Sequence, residues 1–134
     1  MIAIIASEFN NFIVNRLLSA AKSTLKSANV DYKTYRVPGA FELPLLAKKV
    51  APDFDAVICL GAVIRGETPH FDFVSKETAR GIMQVSLDTE KPVIFGVLTT
   101  DNVEQAEKRS GKSNNKGREA AEAALAMLET LQNC

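Results

Sequence analysis

Short apolar segments of the chain alternate with longer segments in which apolar residues recur every three or four positions. The short segments have the pattern of strands buried on both faces, and the longer ones have the pattern of amphipathic helices. Taken in order, the elements are β-α-β-α-β-α-β-α-α. This alternation specifies a four-stranded parallel sheet with helices on both faces, joined by right-handed crossovers. We therefore predict an α/β fold, with a single three-layer α/β/α domain over residues 1–134.

The boundaries of the elements follow from the same pattern. The predicted helices begin near Asn11, Ala40, Pro69, Val103 and Lys116. Phe12 and Leu45 are expected on the buried faces of the first two helices, with Met83 a further candidate on the third. The predicted strands are Ile2–Ala6, Tyr32–Val37 (which alternates, as an edge strand does), Ala56–Leu60 and Val93–Leu98.

Composition excludes several classes of protein. The 16 basic and 16 acidic residues balance, so charge does not favour nucleic acid or an anionic membrane as a partner. No apolar run approaches the roughly 20 residues that span a bilayer, and no secretory signal is evident. Cys59 lies in an apolar strand and Cys134 ends the chain, which fits neither a disulfide scaffold nor a metal site. We expect a cytoplasmic protein without a metal.

Residues that suit a binding site better than a core follow each predicted strand. Phe9 and Asn10 follow the first strand, Phe41 and Glu42 follow the second, and the segment Thr99–Thr100 is predicted as a loop after the fourth. Open parallel sheets bind ligands beyond the carboxyl ends of their strands. One edge of the sheet would thus carry an aromatic ring and a carboxylate.

The stretch that follows the third strand predicts an anion site. A loop between Gly61 and Gly66 leads to a helix with Thr68 as the N-cap and Pro69 at the first helical position. Such a junction directs backbone N–H groups to the positive end of a helix dipole, as is typical of phosphate sites. His70, the only histidine, lies in the first turn. A group that exchanges protons near neutral pH would therefore lie beside a bound anion.

Each of these residues also has a purely structural interpretation. Phe9 could pack as a hydrophobic staple instead of stacking on a heterocycle. Glu42 is favoured by the helix dipole in any case. His70 could be a surface or capping residue, and the side chain of Arg65 need not face the anion. Arg109 could stabilise a helix C-terminus or bind phosphate in a bidentate manner.

Four segments closely resemble the 6,7-dimethyl-8-ribityllumazine synthase family: Val37–Pro44 (VPGAFELP), Gly61–Asp72 (GAVIRGETPHFD), Pro92–Thr100 (PVIFGVLTT) and Asn115–Gly117 (NKG). The resemblance covers essentially the whole chain. It implies an enzyme of riboflavin biosynthesis that uses no cofactor. That enzyme condenses 5-amino-6-(ribitylamino)uracil with 3,4-dihydroxy-2-butanone 4-phosphate to 6,7-dimethyl-8-ribityllumazine, with release of phosphate and water.

The resemblance also implies the roles of individual residues. His70 would be the catalytic residue, and Glu67, Thr68 and Arg109 would bind the phosphate. A homo-oligomer is implied, a pentamer or an assembly of pentamers, with sites between subunits and with Phe95, Arg109 and Lys116 supplied by the adjacent chain. The residues that would bind the pyrimidine and its ribityl chain are Phe9, Asn10, Ala40, Phe41, Glu42, Ala62, Val63, Ile64, Phe95 and Lys116.

Two alternatives to this enzyme stay open at the level of sequence. One is a non-catalytic protein that binds flavin or lumazine or forms a shell. The other is an archaeal-type riboflavin synthase, which would use two lumazines and no phosphate. Both alternatives leave His70 or Arg109 without a clear task, so the sequence favours the condensing enzyme. Its expected ligands are two small-molecule substrates, and neither nucleic acid nor a membrane is expected as a partner.

Overall fold

The computed structural model describes residues 1–134 and contains four strands and five helices in the predicted order. All strand pairs are parallel, and the order in the sheet is β2-β1-β3-β4, which leaves β2 at an edge as predicted. The predicted α/β fold is confirmed. The strands are β1 (Ile2–Ser7), β2 (Tyr32–Val37), β3 (Ala56–Ile64) and β4 (Val93–Thr100), and the helices are α1 (Asn11–Ser27), α2 (Leu43–Val50), α3 (His70–Thr89), α4 (Val103–Lys108) and α5 (Lys116–Gln132).

Each face of the sheet has its own apolar core. Helices α1, α4 and α5 cover one face, where they enclose Ile4 and Ile58. Helices α2 and α3 cover the other face, where they enclose Ile5 and Cys59. Successive residues of one strand point to opposite cores. This is why β1 is buried at every position and why its sequence is continuously apolar up to Ala6.

Three apolar residues that the sequence placed in the core are exposed. Phe12, Leu45 and Met83 keep 48%, 78% and 60% of their surface accessible. On a helix each residue is rotated by about 100° from the next. A residue close in sequence to one that faces the sheet can therefore point to solvent. The neighbours that fill the cores are Ile13, Ala47 and Ile82, all of them buried.

Strands β3 and β4 are longer than the sequence indicates. They end at Ile64 and Thr100, whereas we predicted ends at Leu60 and Leu98. The additional residues of β3 pair with residues 97–100 of β4. They continue the ladder past Leu60, the last residue of β3 that pairs with β1. Gly61 and Thr100 are therefore strand residues, where the sequence predicted loops.

None of the five helices is at once long enough and apolar enough to cross a membrane.

Candidate active site

A cavity of about 620 Å³ opens at the carboxyl ends of β1, β2 and β3, beside the first turn of α3. Its lining includes Phe9 from the loop after β1, and Phe41 and Glu42 from the 3₁₀ turn after β2. It also includes Ala62–Ile64 at the end of β3, and His70. The loops after three strands thus converge on one cavity, at the edge of the sheet where parallel α/β folds bind ligands.

The wall formed by β3 presents backbone hydrogen-bonding groups. Strand β1 pairs with β3 only as far as Leu60, so the edge of Gly61–Ile64 that faces away from β4 lacks a strand partner. The side chain of Asn10 contacts this edge, where its Nδ2 donates to the carbonyl oxygen of Ala62 at 2.8 Å. Backbone groups alternate in direction along a strand, so those of Ala62 and Ile64 lie on the free edge. The carbonyl oxygen of Ala62 already accepts from Asn10, which leaves the N–H of Ala62 and the backbone groups of Ile64 available to the edge of a planar ligand.

Phe9 lies in a loop that is held firmly although its ring is free. The N–H of Phe9 donates to the carbonyl of Pro38 at 3.0 Å, and Arg36 binds both carboxylate oxygens of Glu8 at 2.9 and 3.3 Å. Asn10 takes a left-handed conformation with φ 59° and ends the loop. Phe9 keeps 71% of its surface exposed, so its side chain is not packed as a staple against α1.

The turn after β2 places a carboxylate and two amides at the cavity. Oε1 of Glu42 accepts a hydrogen bond from the N–H of Gly39 at 2.9 Å, and its other oxygen has no donor within the chain. The backbone N–H groups of Ala40 and Phe41 donate no hydrogen bond within the chain. Ala40 is buried in the apolar core on this side of the sheet, whereas Phe41 is 58% exposed.

The loop between β3 and α3 provides unpaired donors. The N–H groups of Gly66, Glu67 and Thr68 make no hydrogen bond within the chain, which is the arrangement that an oxyanion requires near a helix N-terminus. Thr68 and His70 line the cavity, while the side chain of Glu67 is exposed and lies outside the lining.

The start of α3 differs by one residue from the prediction. Pro69, and not Thr68, is the N-cap, because its ψ of 4° is outside the helical range. Helix α3 therefore begins at His70, and the Thr68 hydroxyl accepts only a long hydrogen bond, at 3.5 Å, from the N–H of His70. His70 is exposed at the cavity.

Arg65 has partners that the sequence did not reveal. Its Nε donates to Asp101 at 2.9 Å and its Nη1 to Asp72 at 3.3 Å. The guanidinium carbon lies 4.3 Å from the centre of the Phe71 ring. The hydrogen bond to Asp101 raises the pKa of Arg65, with a further contribution from the charge of Asp72. Asp101 is 36 residues away from Arg65, so no local pattern could have indicated this pair.

The remaining predicted site residues lie elsewhere. Phe95, Arg109 and Lys116 line a second cavity of about 360 Å³ between β4 and the start of α5. Nη1 of Arg109 donates to the carbonyl of Gln105 at 3.0 Å. Within one chain, the predicted residues thus form two groups and not one. No three His, Cys, Asp or Glu side chains lie close enough to hold a metal ion together.

Comparisons with known proteins agree on one family. The family profile described as 6,7-dimethyl-8-ribityllumazine synthase matches residues 1–132. A protein named 6,7-dimethyl-8-ribityllumazine synthase from Syntrophus aciditrophicus (strain SB) is 55% identical over 135 residues. That similarity covers 96% of this chain and 88% of the Syntrophus protein.

Proposed function

The chain belongs to the 6,7-dimethyl-8-ribityllumazine synthase family, and from this premise we propose the reaction and the roles of the residues. The reaction condenses 5-amino-6-(ribitylamino)uracil with 3,4-dihydroxy-2-butanone 4-phosphate and forms 6,7-dimethyl-8-ribityllumazine, phosphate and water. The observation that carries the proposal is that a single cavity contains an exposed aromatic ring, a free strand edge, a carboxylate and His70. Each of these groups has a counterpart on the two substrates.

The pyrimidine ring stacks on Phe9 and pairs with the free edge of β3. An exposed phenyl ring held by a fixed backbone is a stacking surface that needs little reordering on binding. The uracil edge has both donors and acceptors, as do the backbone groups of Ala62 and Ile64, and the Val63 side chain adds apolar contact. The hydroxyl groups of the ribityl chain donate to the free oxygen of Glu42 and accept from the N–H groups of Ala40 and Phe41.

The phosphate of the second substrate binds to the loop ahead of α3. The free N–H groups of Gly66–Thr68 and the positive end of the α3 dipole favour an oxyanion there. The exposed position of the Glu67 side chain is compatible with this, since Glu67 contributes its amide and not its carboxylate. The cationic partner of the phosphate is Arg109, which binds phosphate in a bidentate manner.

The chemistry consists of proton transfers between positioned reactants. The amine of the uracil attacks the ketone, and one water leaves as the imine forms. Phosphate is then eliminated, and the ring closes with loss of a second water. His70 lies beside the phosphate loop and exchanges the protons, a contribution of roughly 10²–10⁴-fold. Holding the two reactants in contact accounts for the larger share, up to about 7–11 kcal/mol of the barrier.

The division of the predicted residues into two cavities supports a site shared between subunits. We propose that Phe95, Arg109 and Lys116 complete the cavity of a neighbouring copy in a pentamer or an assembly of pentamers. Exposed apolar side chains on α3 agree with an oligomer, because Phe73 and Leu87 keep 67% and 66% of their surface accessible in the isolated chain. Contact with a neighbouring copy would remove these side chains from water.

A phosphate-release assay with both substrates tests the proposal. The wild-type protein should release phosphate as lumazine absorbance appears, and His70→Ala should slow turnover by at least tenfold while pyrimidine binding is retained. Unchanged turnover in His70→Ala would refute the role of His70. Pyrimidine binding by the wild type without phosphate release would refute the activity and support a non-catalytic binding protein.

A further inference from the structure

Arg65 connects three segments that surround the phosphate loop. Its backbone N–H donates to the carbonyl of Thr100 at 2.8 Å. Its side chain binds Asp101 in the loop after β4 and Asp72 in the first turn of α3, and it lies over the ring of Phe71. One residue therefore ties the end of β3 to the loop after β4 and to α3.

The loop enclosed by these contacts is the one that carries the unpaired amides. Apart from the 3.5 Å contact of Thr68 with the N–H of His70, its side chains make no hydrogen bonds to the chain. A Cβ at Gly66 would have no atom within 4 Å, so the loop does not pack against the protein there. A loop with so few contacts opens easily unless its ends are held. Arg65 and Asp72 hold the two ends, with Gly66–Thr68 and His70 between them.

We infer that Arg65 is a positioning residue, which holds the phosphate loop and His70 in the geometry that the reaction needs. It does not act as a phosphate ligand, because its Nε and Nη1 are bound to carboxylates and its side chain does not line the cavity. Phe71, which Arg65 covers, forms part of the cavity wall. This inference rests on the proposed function, whose phosphate site it explains.

The effect of Arg65 belongs to the site and not to the overall stability of the fold. The Arg65 side chain is 44% exposed, and its two carboxylate partners are 65% and 60% exposed. Ion pairs this exposed contribute little to global unfolding. Small displacements of catalytic groups, in contrast, change rates by up to about 100-fold. The two readouts therefore separate a positioning role from a general structural one.

Arg65→Ala and Arg65→Lys test the inference, with Arg16→Ala as the matched control. Arg16 also lies on the surface and forms one ion pair, to Glu107 at 4.0 Å, and the two side chains are 50% and 52% exposed. Arg16 lines neither of the two cavities. Calorimetry gives the Kd of inorganic phosphate and of the pyrimidine substrate, and phosphate release gives kcat. Arg65→Ala should weaken phosphate binding about 3- to 10-fold and lower kcat about 10- to 100-fold, with pyrimidine affinity unchanged.

The conservative variant adds a second criterion. Arg65→Lys keeps the charge but loses the planar fork that reaches two carboxylates, so its kcat should remain closer to that of Arg65→Ala than to that of the wild type. Arg16→Ala should match the wild type. Unchanged phosphate affinity and kcat in both Arg65 variants would overturn the inference, and so would an equal loss of pyrimidine affinity. Absence of phosphate release by the wild type would overturn the proposed function instead.

Discussion

Replacing Gly117 with alanine tests a close approach between the start of α5 and the backbone of α1. A Cβ at position 117 would lie 1.9 Å from the carbonyl oxygen of Leu17 and 2.7 Å from its Cα. Both are backbone atoms of α1, so no side-chain rotation can relieve the overlap. Ordinary contact begins at 3.4 Å, and the start of α5 would have to retreat by about 1.5 Å, the difference between 3.4 and 1.9 Å.

The magnitude follows from three contributions. Overpacking of this kind costs about 1–3 kcal/mol. The retreat also strains the N-cap of α5, which costs about 1 kcal/mol. In this cap, Oδ1 of Asn115 accepts from the N–H groups of Gly117 and Arg118 at 2.8 and 3.2 Å. The higher helix propensity of alanine returns about 1 kcal/mol. We therefore expect the free energy of unfolding to fall by about 1–3 kcal/mol.

Urea unfolding measures this difference, with Gly111→Ala as the control. A Cβ at Gly111 would lie 3.8 Å from the nearest atom, the carbonyl oxygen of Glu107, so that variant should stay within about 0.5 kcal/mol of the wild type. The N–H of Lys116 donates to the carbonyl of Arg109 at 2.9 Å. Gly117→Ala should therefore disturb the second cavity as well. The reasoning would be refuted if Gly117→Ala unfolded at the urea midpoint of the wild type. It would also be refuted if both variants lost the same free energy of unfolding.

Two further predictions concern ionisable groups. Glu42→Gln should weaken pyrimidine binding about tenfold in calorimetry, because a neutral amide is a weaker acceptor than a carboxylate while the contact to Gly39 can persist; unchanged affinity would exclude the assigned role. Burial raises the pKa of the Cys59 thiol from 9.0 to about 12, so the folded state holds this proton more tightly. The protonated thiol contributes fully to the free energy of unfolding below pH 9. This contribution is lost as the pH rises from 9 towards 12, by up to about 1.4 kcal/mol per pH unit. Urea midpoints should decline less steeply over that range in Cys59→Ala, and parallel declines would contradict the assignment.

Local pattern was sufficient to predict the elements and their order. Apolar runs and helical periodicity reflect which side of each element meets a core, and alternation of strands and helices leaves few topologies. The position of the site followed from this, since the carboxyl ends of parallel strands lie at one edge. Phe9, Glu42 and His70 were expected at that edge, and they line one cavity in the structure.

Other features depend on contacts between distant parts of the chain. The continuation of β3 to Ile64 exists because β4 pairs with it there, and the free edge of β3 exists because β1 ends sooner. Asp101 meets Arg65 only through that pairing. The separation of Phe95, Arg109 and Lys116 from the first cavity is likewise a property of the sheet order, which places β4 at the far edge.

The sequence by itself determined the α/β class, the family and the types of chemical group available, because these depend on local periodicity and on short motifs. The tertiary structure alone decided where β3 presents an unpaired edge, what Arg65 holds, and how the predicted residues divide between two cavities. These depend on strand register and on contacts between residues far apart in the chain, which local patterns do not encode.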